Sequence, residues 1–280
     1  MIILCWPGNE RELTSALVKV KRVSCFTLSA DQSPILYFAS LRGDSLLEHP
    51  TWNKDSMIMD VDWYYGFWVK PSWAFPFCNG RMIVGMDSVK SRYQHREAIQ
   101  IVKKEISYLQ SMLKMLNGQR DEYRYYLKVH GVKDEGYDVV VKHATITHSR
   151  IDTIQRVLQL LLKYESSQNL AIERYDKFYA GVNSPKKSIP VGCSVIKYGA
   201  DGRIALMQTT DKKTPKDIFA ISLLPYSDKF GQGVLSLSSG DSLPVPTVLG
   251  DYGAPVLTSS GNLVGMKLNR HSVAVKEIFK

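Results

Sequence analysis

Short alternating runs of apolar and polar residues dominate the first third of the chain. The segments ALVKVKRVSCFTLS, PILYFAS and RMIVGM are rich in β-branched residues and are bounded by turn-forming residues. Such runs are typical of strands that place one face on a core. The pattern therefore predicts a β-rich N-terminal domain over residues 1–92.

A helical pattern follows in residues 93–118. Six apolar residues recur at alternating spacings of three and four, which puts them on one seam of a helix: Ile99, Val102, Ile106, Leu109, Leu113 and Leu116. Asn117-Gly118 is a helix stop signal. We expect the seam to pack within the chain. An alternative hypothesis is a dimer contact through residues 99–116.

Tyrosine- and valine-rich segments after this helix predict a β-hairpin. YRYYLKV and YDVVVKHATIT flank the turn signal Lys133-Asp134-Glu135-Gly136. A second helix is predicted to start after Ser149, with Asp152 as its capping partner. Its seam comprises Ile151, Ile154, Leu158 and Leu161. Residues 93–185 are thus predicted to hold two helices and a β-hairpin.

Short strands separated by Gly, Ser, Pro and Asp fill the last third of the sequence. Their even spacing favours a small β-barrel over residues 186–280. The fold class predicted for the whole chain is α+β: a β-rich protein with a helical insert and a C-terminal β-barrel.

The charge of the chain adds one functional hypothesis. Of 280 residues, 44% are hydrophobic and 22% charged, and the net charge is +9. The balance is that of a globular protein, and the excess of positive charge is compatible with an anionic partner. Residues 90–132 hold nine basic and four acidic residues. They predict RNA binding, with candidate contacts from Lys90, Arg92, Arg96, Lys103, Lys104 and Lys114.

An aromatic cluster over residues 60–77 has two interpretations. DVDWYYGFWVKPSWAFPF contains Trp63, Trp68 and Trp73 among several tyrosines and phenylalanines. Such density suits a base-stacking platform or the core of a small β domain. The core is favoured, because Lys70 is the one basic residue inside the segment.

The cysteines and the hydropathy exclude several classes of protein. The four cysteines are widely spaced, which favours reduced thiols and a cytoplasmic location. No run approaches the roughly 20 apolar residues of a membrane span, and MIILCW is too short for a secretion signal. No phosphate-binding glycine motif occurs. We therefore expect no cofactor and no metal.

The stretch VLGDYGAPVLTSSGNLVGMKL, residues 248–268, carries the sharpest motif. Gly250-Asp251-Tyr252-Gly253-Ala254-Pro255 and the following hairpin resemble the second barrel of trypsin-like serine proteases. That resemblance implies a glycine-bounded turn whose backbone N–H groups form an oxyanion hole. It covers roughly residues 188–275.

The resemblance fails at the nucleophile, because Tyr252 stands where the family has its serine. A phenol is longer than a seryl side chain, and its pKa near ~10 makes it a donor at neutral pH. The family also has a histidine on its first barrel, followed by an aspartate. His49, in HPTWN, is the faint match for that region.

The resemblance therefore predicts a catalytically inactive, protease-like interaction module with a protein partner. Its degenerate turn comprises Gly250, Asp251, Tyr252, Gly253 and Pro255. A viral non-structural or accessory protein of the host cytoplasm is the setting we expect for such a module.

Two GDSL tetrapeptides keep open the alternative of a hydrolase with an unrecognised nucleophile. They contain Ser45 and Ser242. Hydrolases of the GDSL type also need an Asp-x-x-His pair near the C-terminus, which this sequence lacks.

Overall fold

The fold was analysed in a computed structural model of the chain. It describes residues 15–43, 45–70, 79–181, 190–200, 202–216, 218, 220–222, 234–236, 245–246, 252–258, 263–268 and 271–274. The α+β class is confirmed, with many strands, two helices and a closed six-stranded antiparallel β-barrel.

The chain divides into two compact units. Unit 1 comprises Met1–Val23, Val61–Val89 and Asp176–Lys280, and unit 2 comprises Ser24–Asp60 and Lys90–Tyr175. The domain boundaries at residues 92 and 185 stay a prediction. Unit 2, which holds both helices, also includes Ser24–Asp60. The sequence had placed that segment in the N-terminal domain.

The helices and strands have the following bounds. The strands are β1 Leu17–Ala30, β2 Ser33–Phe38, β3 Leu41–Arg42, β4 Leu46–Leu47, β5 Asp60–Lys70, β6 Arg81–Gly85, β7 Arg92–Tyr93, β8 Leu170–Gly181, β9 Pro190–Tyr198, β10 Ile204–Thr209, β11 Ile221–Ser222, β12 Val234–Ser236, β13 Val245–Pro246, β14 Pro255–Thr258, β15 Leu263–Leu268 and β16 His271–Ala274. The helices are α1 His95–Val129 and α2 Tyr137–Tyr164.

Unit 1 is built on the closed barrel. Its strands follow the spatial order β5-β6-β10-β9-β8-β1, and β1 pairs with β5 to close the circle. The first four barrel strands in the sequence, β1, β5, β6 and β8, form a Greek key, because the fourth returns beside the first. The hairpin β9–β10 fills the remaining gap. The predicted C-terminal range supplies β9 and β10, and the other four barrel strands precede it.

Barrel strands β6 and β10 and residues 66–69 of β5 are buried on both faces. Successive residues of β6 alternate between two clusters: Met82 and Val84 lie with Trp68 and Met207 in the barrel interior, whereas Ile83 faces outward. Since successive strand residues point to opposite faces, a run such as MIV is apolar throughout when both faces are covered.

A second sheet covers the outward face of these strands. Its order is β13-β12-β14-β15-β16. Leu257 on β14 and Leu263 and Met266 on β15 pack with Ile83 and Phe67 of the barrel. The strands that follow the protease-like turn, β14 and β15, therefore belong to this sheet rather than to the closed barrel.

Unit 2 packs two antiparallel helices on a β-ribbon. Strands β1 and β2 pair through Phe26↔Phe38 and Leu28↔Leu36, and these rings and side chains share one core with the helices. Phe26 and Phe38 stack at 5.2 Å between ring centroids. No helix within the described ranges combines the length and apolarity needed for a membrane span.

The predicted hairpin in the helical region is wrong. YRYYLKV belongs to α1 and YDVVVKHATIT to α2. Tyrosine and valine disfavour a helix by only a fraction of a kcal/mol each, and packing between the two helices outweighs that preference. The turn at residues 133–136 is present, but it links two helices, and Gly136 has the left-handed φ of +83°.

Two helix boundaries predicted from the sequence are also wrong. Helix α1 continues through Asn117-Gly118 to Val129, and α2 starts at Tyr137 rather than after Ser149. Gly118 faces open space, so its cost is only the roughly 1 kcal/mol of a glycine inside a helix. That cost is too small to end a helix whose apolar face is buried.

The predicted seam of α1 is confirmed. Val102, Ile106, Leu109 and Leu116 are buried, and Ile99 and Leu113 are partly buried. On α2, Ile151 and Leu161 are buried within the same unit. The seam residues pack within the chain. Those that are buried therefore have no exposed surface for a dimer contact.

We predict that Leu109→Ala lowers the free energy of unfolding by about 2–4 kcal/mol, because it opens a cavity in a packed core. Leu109 is 4% exposed. Leu162→Ala is the matched control, since Leu162 is 47% exposed on α2 and should change stability by at most about 0.5 kcal/mol. Urea unfolding measures both. Equal effects of the two substitutions would contradict the packing described here.

Candidate functional site

The turn that resembles a protease nucleophile loop is described from Tyr252 onward. Gly250 and Asp251 lie outside the described residues. Gly253 follows with a left-handed φ of +86°, and Pro255 begins β14 opposite Met266. The Gly253 N–H donates to the Lys267 carbonyl at 2.8 Å, and the Lys267 N–H donates to the Ala254 carbonyl at 2.9 Å. These bonds hold the turn on β15.

Gly253 is pressed against barrel strand β5. A Cβ atom at this position would lie 2.1 Å from the Tyr65 carbonyl oxygen, a distance that excludes any side chain. The left-handed φ independently favours glycine. Two separate constraints, backbone conformation and close approach, therefore require glycine at this position.

Tyr252 turns its ring onto the outer face of the barrel. The ring is half-buried and packs against the apolar cluster that contains Phe67, Ile83 and Leu268. The ring also lies close to Gly85 on β6, where an added Cβ atom would be 3.0 Å from the Tyr252 Cε1 atom. Tyr252 is thus a packed aromatic residue of this turn, and its equivalence with the serine of a protease stays a prediction.

The described part of unit 1 offers this turn no histidine base. The described histidine side chains are those of His49, His95, His130, His143 and His148, and all five belong to unit 2. Acyl transfer by a serine-type mechanism requires a base within hydrogen-bond reach of the nucleophile. His49, the faint sequence match, instead lines a cavity of unit 2.

Other candidate nucleophiles are equally poorly placed. Burial raises the pKa of the Cys193 thiol to about 12, against which an Ala180 backbone hydrogen bond acts only partly. A thiol with such a pKa is protonated at neutral pH and unreactive. Ser45 lies in the turn between β3 and β4 and donates a hydrogen bond to the Gly43 carbonyl at 3.2 Å. Ser242 lies outside the described residues.

The six candidate RNA-binding residues divide into three sets. Lys90 and Arg92 precede α1 and form ion pairs with Glu97 at 2.5 Å and Glu173 at 3.3 Å. Arg96, Lys103 and Lys114 are exposed on α1. At about 100° per residue they fall within roughly 20° of one another on the helix surface.

Lys104 is exposed on α1 about 80° to one side of that row. RNA binding through this segment stays a prediction that now rests mainly on three of the six residues.

A lysine–aromatic contact on the barrel was missed by sequence reasoning. The Lys19 ammonium lies 4.4 Å from the centroid of the Trp63 ring and 5.6 Å from that of Tyr65. Lys21 lies 5.8 Å from Trp63. The aromatic segment lacks basic residues of its own, and the pairing of β1 with β5 supplies them. The available signal was the alternation of lysine with valine in LVKVKRV.

A cavity of about 630 Å³ opens in unit 2 beside α1. Such a volume is within the range of small-molecule sites. Leu47, Leu109 and Val157 form apolar parts of its wall, and Trp52, His49 and Tyr108 supply rings. The Arg42 guanidinium lies 5.5 Å from the Tyr108 ring centroid.

Glu105 is the unusual residue of this cavity. It is 1% exposed, and its Oε2 atom accepts a hydrogen bond from the Leu47 N–H at 2.9 Å. Burial raises the pKa of its carboxyl group above 4.5, although the Leu47 hydrogen bond and the charge of Arg42 oppose the shift. A buried carboxyl group in a cleft is a feature of functional sites, but also of structural networks.

A resident metal has no evident place in the described ranges, where no group of three or more potential ligands comes together. No protein-family model, curated protein sequence or solved structure matches this chain.

We predict that Gly253→Ala destabilises the protein by clearly more than Gly136→Ala. Both glycines have a left-handed φ, +86° and +83°, which costs alanine about 1–2 kcal/mol. A Cβ at Gly136 meets nothing within 4 Å, whereas one at Gly253 overlaps the Tyr65 carbonyl. Urea unfolding of both variants isolates the cost of the overlap. Similar losses in the two variants would show that the turn does not press on β5.

We predict that Glu105→Gln flattens the pH dependence of stability above about pH 4.5. Because the folded-state pKa of Glu105 is raised, the native protein binds the proton more tightly than the unfolded chain. Stability therefore falls as the pH rises from the unfolded to the folded pKa. Glutamine keeps an acceptor for Leu47 and cannot ionise.

The free energy of unfolding of both proteins, measured between about pH 4 and about pH 8, tests this expectation. Glu122→Gln, at an exposed position of the same helix, is the control. An unchanged slope in Glu105→Gln would contradict the assignment.

Proposed function

We propose that this chain is a catalytically inactive, trypsin-like-protease-related protein that acts as a binding module. The observation that carries the proposal is the packing of Tyr252. Its ring packs on the outer face of the barrel against Gly85. In the protease family this position holds the serine that attacks the substrate.

The fold supports the relationship in coarse terms. The closed six-stranded antiparallel barrel is compatible with a trypsin-like barrel, and the described part of the turn, residues 252–255, leads into the second sheet of the same unit. The glycine after Tyr252 has the strained backbone that the turn requires. The compatible barrel and the positive-φ glycine support the proposed relationship, which stays a proposal.

The chemistry supports the loss of activity. A tyrosine ring carries its oxygen several ångströms further from the backbone than serine does. A phenol, with a usual pKa near ~10, is also a hydrogen-bond donor rather than a ready nucleophile. No described histidine side chain in unit 1 can take its proton. What remains is a rigid surface, which suits binding of a partner rather than turnover of a substrate. The viral, host-cytoplasmic setting stays a hypothesis.

We predict that a fluorophosphonate probe labels neither the wild-type protein nor Tyr252→Ser. Restoring the hydroxyl in Tyr252→Ser supplies a nucleophile but no base, so the variant should also leave a panel of peptide substrates intact. Trypsin serves as the positive control for the probe, and Tyr252→Phe as the control for loss of the phenol oxygen.

Labelling of the wild-type protein that disappears in Ser45→Ala or Ser242→Ala would overturn the proposal in favour of a hydrolase. Labelling of Tyr252→Ser alone would show that a base is present and that only the nucleophile was lost.

A further inference from the structure

Three neighbouring barrel strands of unit 1 direct lysines and aromatic rings outward. Val18 and Val20 of β1 and Phe178 and Ala180 of β8 point into the barrel interior. On β5, Trp68 points inward and Tyr64 packs against the same interior cluster. Because side chains alternate along a strand, the intervening residues face outward. We call this set the barrel face: Lys19, Lys21, Trp63, Tyr65, Lys177 and Tyr179.

The residues of the barrel face are accessible. Trp63 is 50% exposed, Lys177 is exposed, and Lys19, Lys21, Tyr65 and Tyr179 are partly exposed. Tryptophan is seldom left half-exposed without a reason, since its ring buries a large apolar area when it is covered. Single exposed rings are common, but three rings interleaved with three lysines on adjacent strands form a pattern.

The electrostatics of the barrel face are one-sided. The outward positions of these strands in unit 1 are 17, 19, 21 and 23 on β1, 61, 63, 65, 67 and 69 on β5, and 177, 179 and 181 on β8, and none is acidic. Asp62, the nearest carboxylate on β5, is an inward-parity residue that bonds Arg22 at 2.5 Å. Arg22 is buried. Asp176, which precedes Lys177 on β8, is exposed but is also at an inward-parity position. Within the described parts of these three strands, the outward positions thus carry lysines and no carboxylate.

We propose that the barrel face binds single-stranded nucleic acid. Every base offers a ring face to an aromatic side chain, and lysines neutralise the phosphates that connect the bases. Trp63 and Tyr65 are two residues apart on a strand, hence about 7 Å apart. Bases of a duplex strand are about 3.4 Å apart, so neighbouring bases can stack on both rings only when they are unstacked from each other.

The present position of Lys19 fits this binding mode. Its ammonium group lies 4.4 Å from the centroid of the Trp63 ring, and the tryptophan is still half-exposed. A cation over an exposed ring is held more weakly than a stacked base. An incoming base therefore displaces the ammonium group, and the flexible lysine stem carries it to a neighbouring phosphate.

Fluorescence anisotropy of the full-length protein with a labelled single-stranded oligonucleotide, an oligo-U of about 15 nucleotides, tests the proposal. Trp63→Ala should weaken binding by about tenfold or more, the effect of losing one stacked base, and Trp63→Phe should recover most of it. The double variant Lys19→Gln/Lys21→Gln should lower the slope of log K against log salt by about 1.4, at about 0.7 per phosphate contact.

The matched control is Lys103→Gln/Lys114→Gln, which removes the same charge from exposed positions of α1. It should leave the effect of Trp63→Ala unchanged. The melting temperatures of all variants are compared with that of the wild type. If Trp63→Ala does not fold, the test uses Trp63→Lys and the double variant Lys19→Gln/Lys21→Gln instead. These variants change surface positions.

The proposal is overturned if the wild-type protein does not bind the oligonucleotide at low salt, or if folded Trp63 variants bind it as well as the wild type. The proposal is also overturned if the wild-type protein binds another anionic ligand as tightly as the oligonucleotide, and if Trp63 substitutions weaken that binding equally. The ligands to compare are a duplex of the same sequence, anionic phospholipid vesicles and poly-glutamate. None of these outcomes depends on whether Tyr252 is catalytically inert, so the two proposals can fail separately.

Discussion

Burial of strand β6 on both faces is the constraint on which unit 1 depends. Met82 and Val84 close the barrel interior, and Ile83 anchors the second sheet through Leu257 and Met266. Since apolar burial contributes roughly 25 cal/mol per Å², a strand covered on both sides stabilises two layers at once. The sheet that carries the protease-like turn is attached to the barrel through this strand and its neighbours.

Glycines allow the layers to approach at the candidate turn. A Cβ at Gly253 would lie 2.1 Å from the Tyr65 carbonyl oxygen on β5. Gly85 leaves space for the ring of Tyr252. The contact is therefore a backbone-to-backbone one, and the tyrosine ring fills the space beside it.

The helical unit illustrates how local preferences yield to packing. The seams of its helices could be predicted from the sequence, because a 3-4 spacing that extends over several turns indicates a helix with one apolar face. The next segment, rich in tyrosine and valine, was misread because β propensity is weak and depends on context. The turn between residues 133 and 136 was correct, yet a turn signal does not say which elements it joins. The sequence did not predict the burial of Glu105. Whether one glutamate of a helix is buried depends on the residues that pack over that helix turn.

The sequence alone determined the α+β class, the turn glycines, the α1 seam and the absence of a serine at position 252, because each is a local pattern with a local physical meaning. Tertiary structure decided which strands close the barrel. It also decided that Lys19 lies over Trp63, although about forty residues separate them. Strand pairing over such a distance depends on the complete set of partners. A surface made from two or three strands therefore has no signature in any one of them.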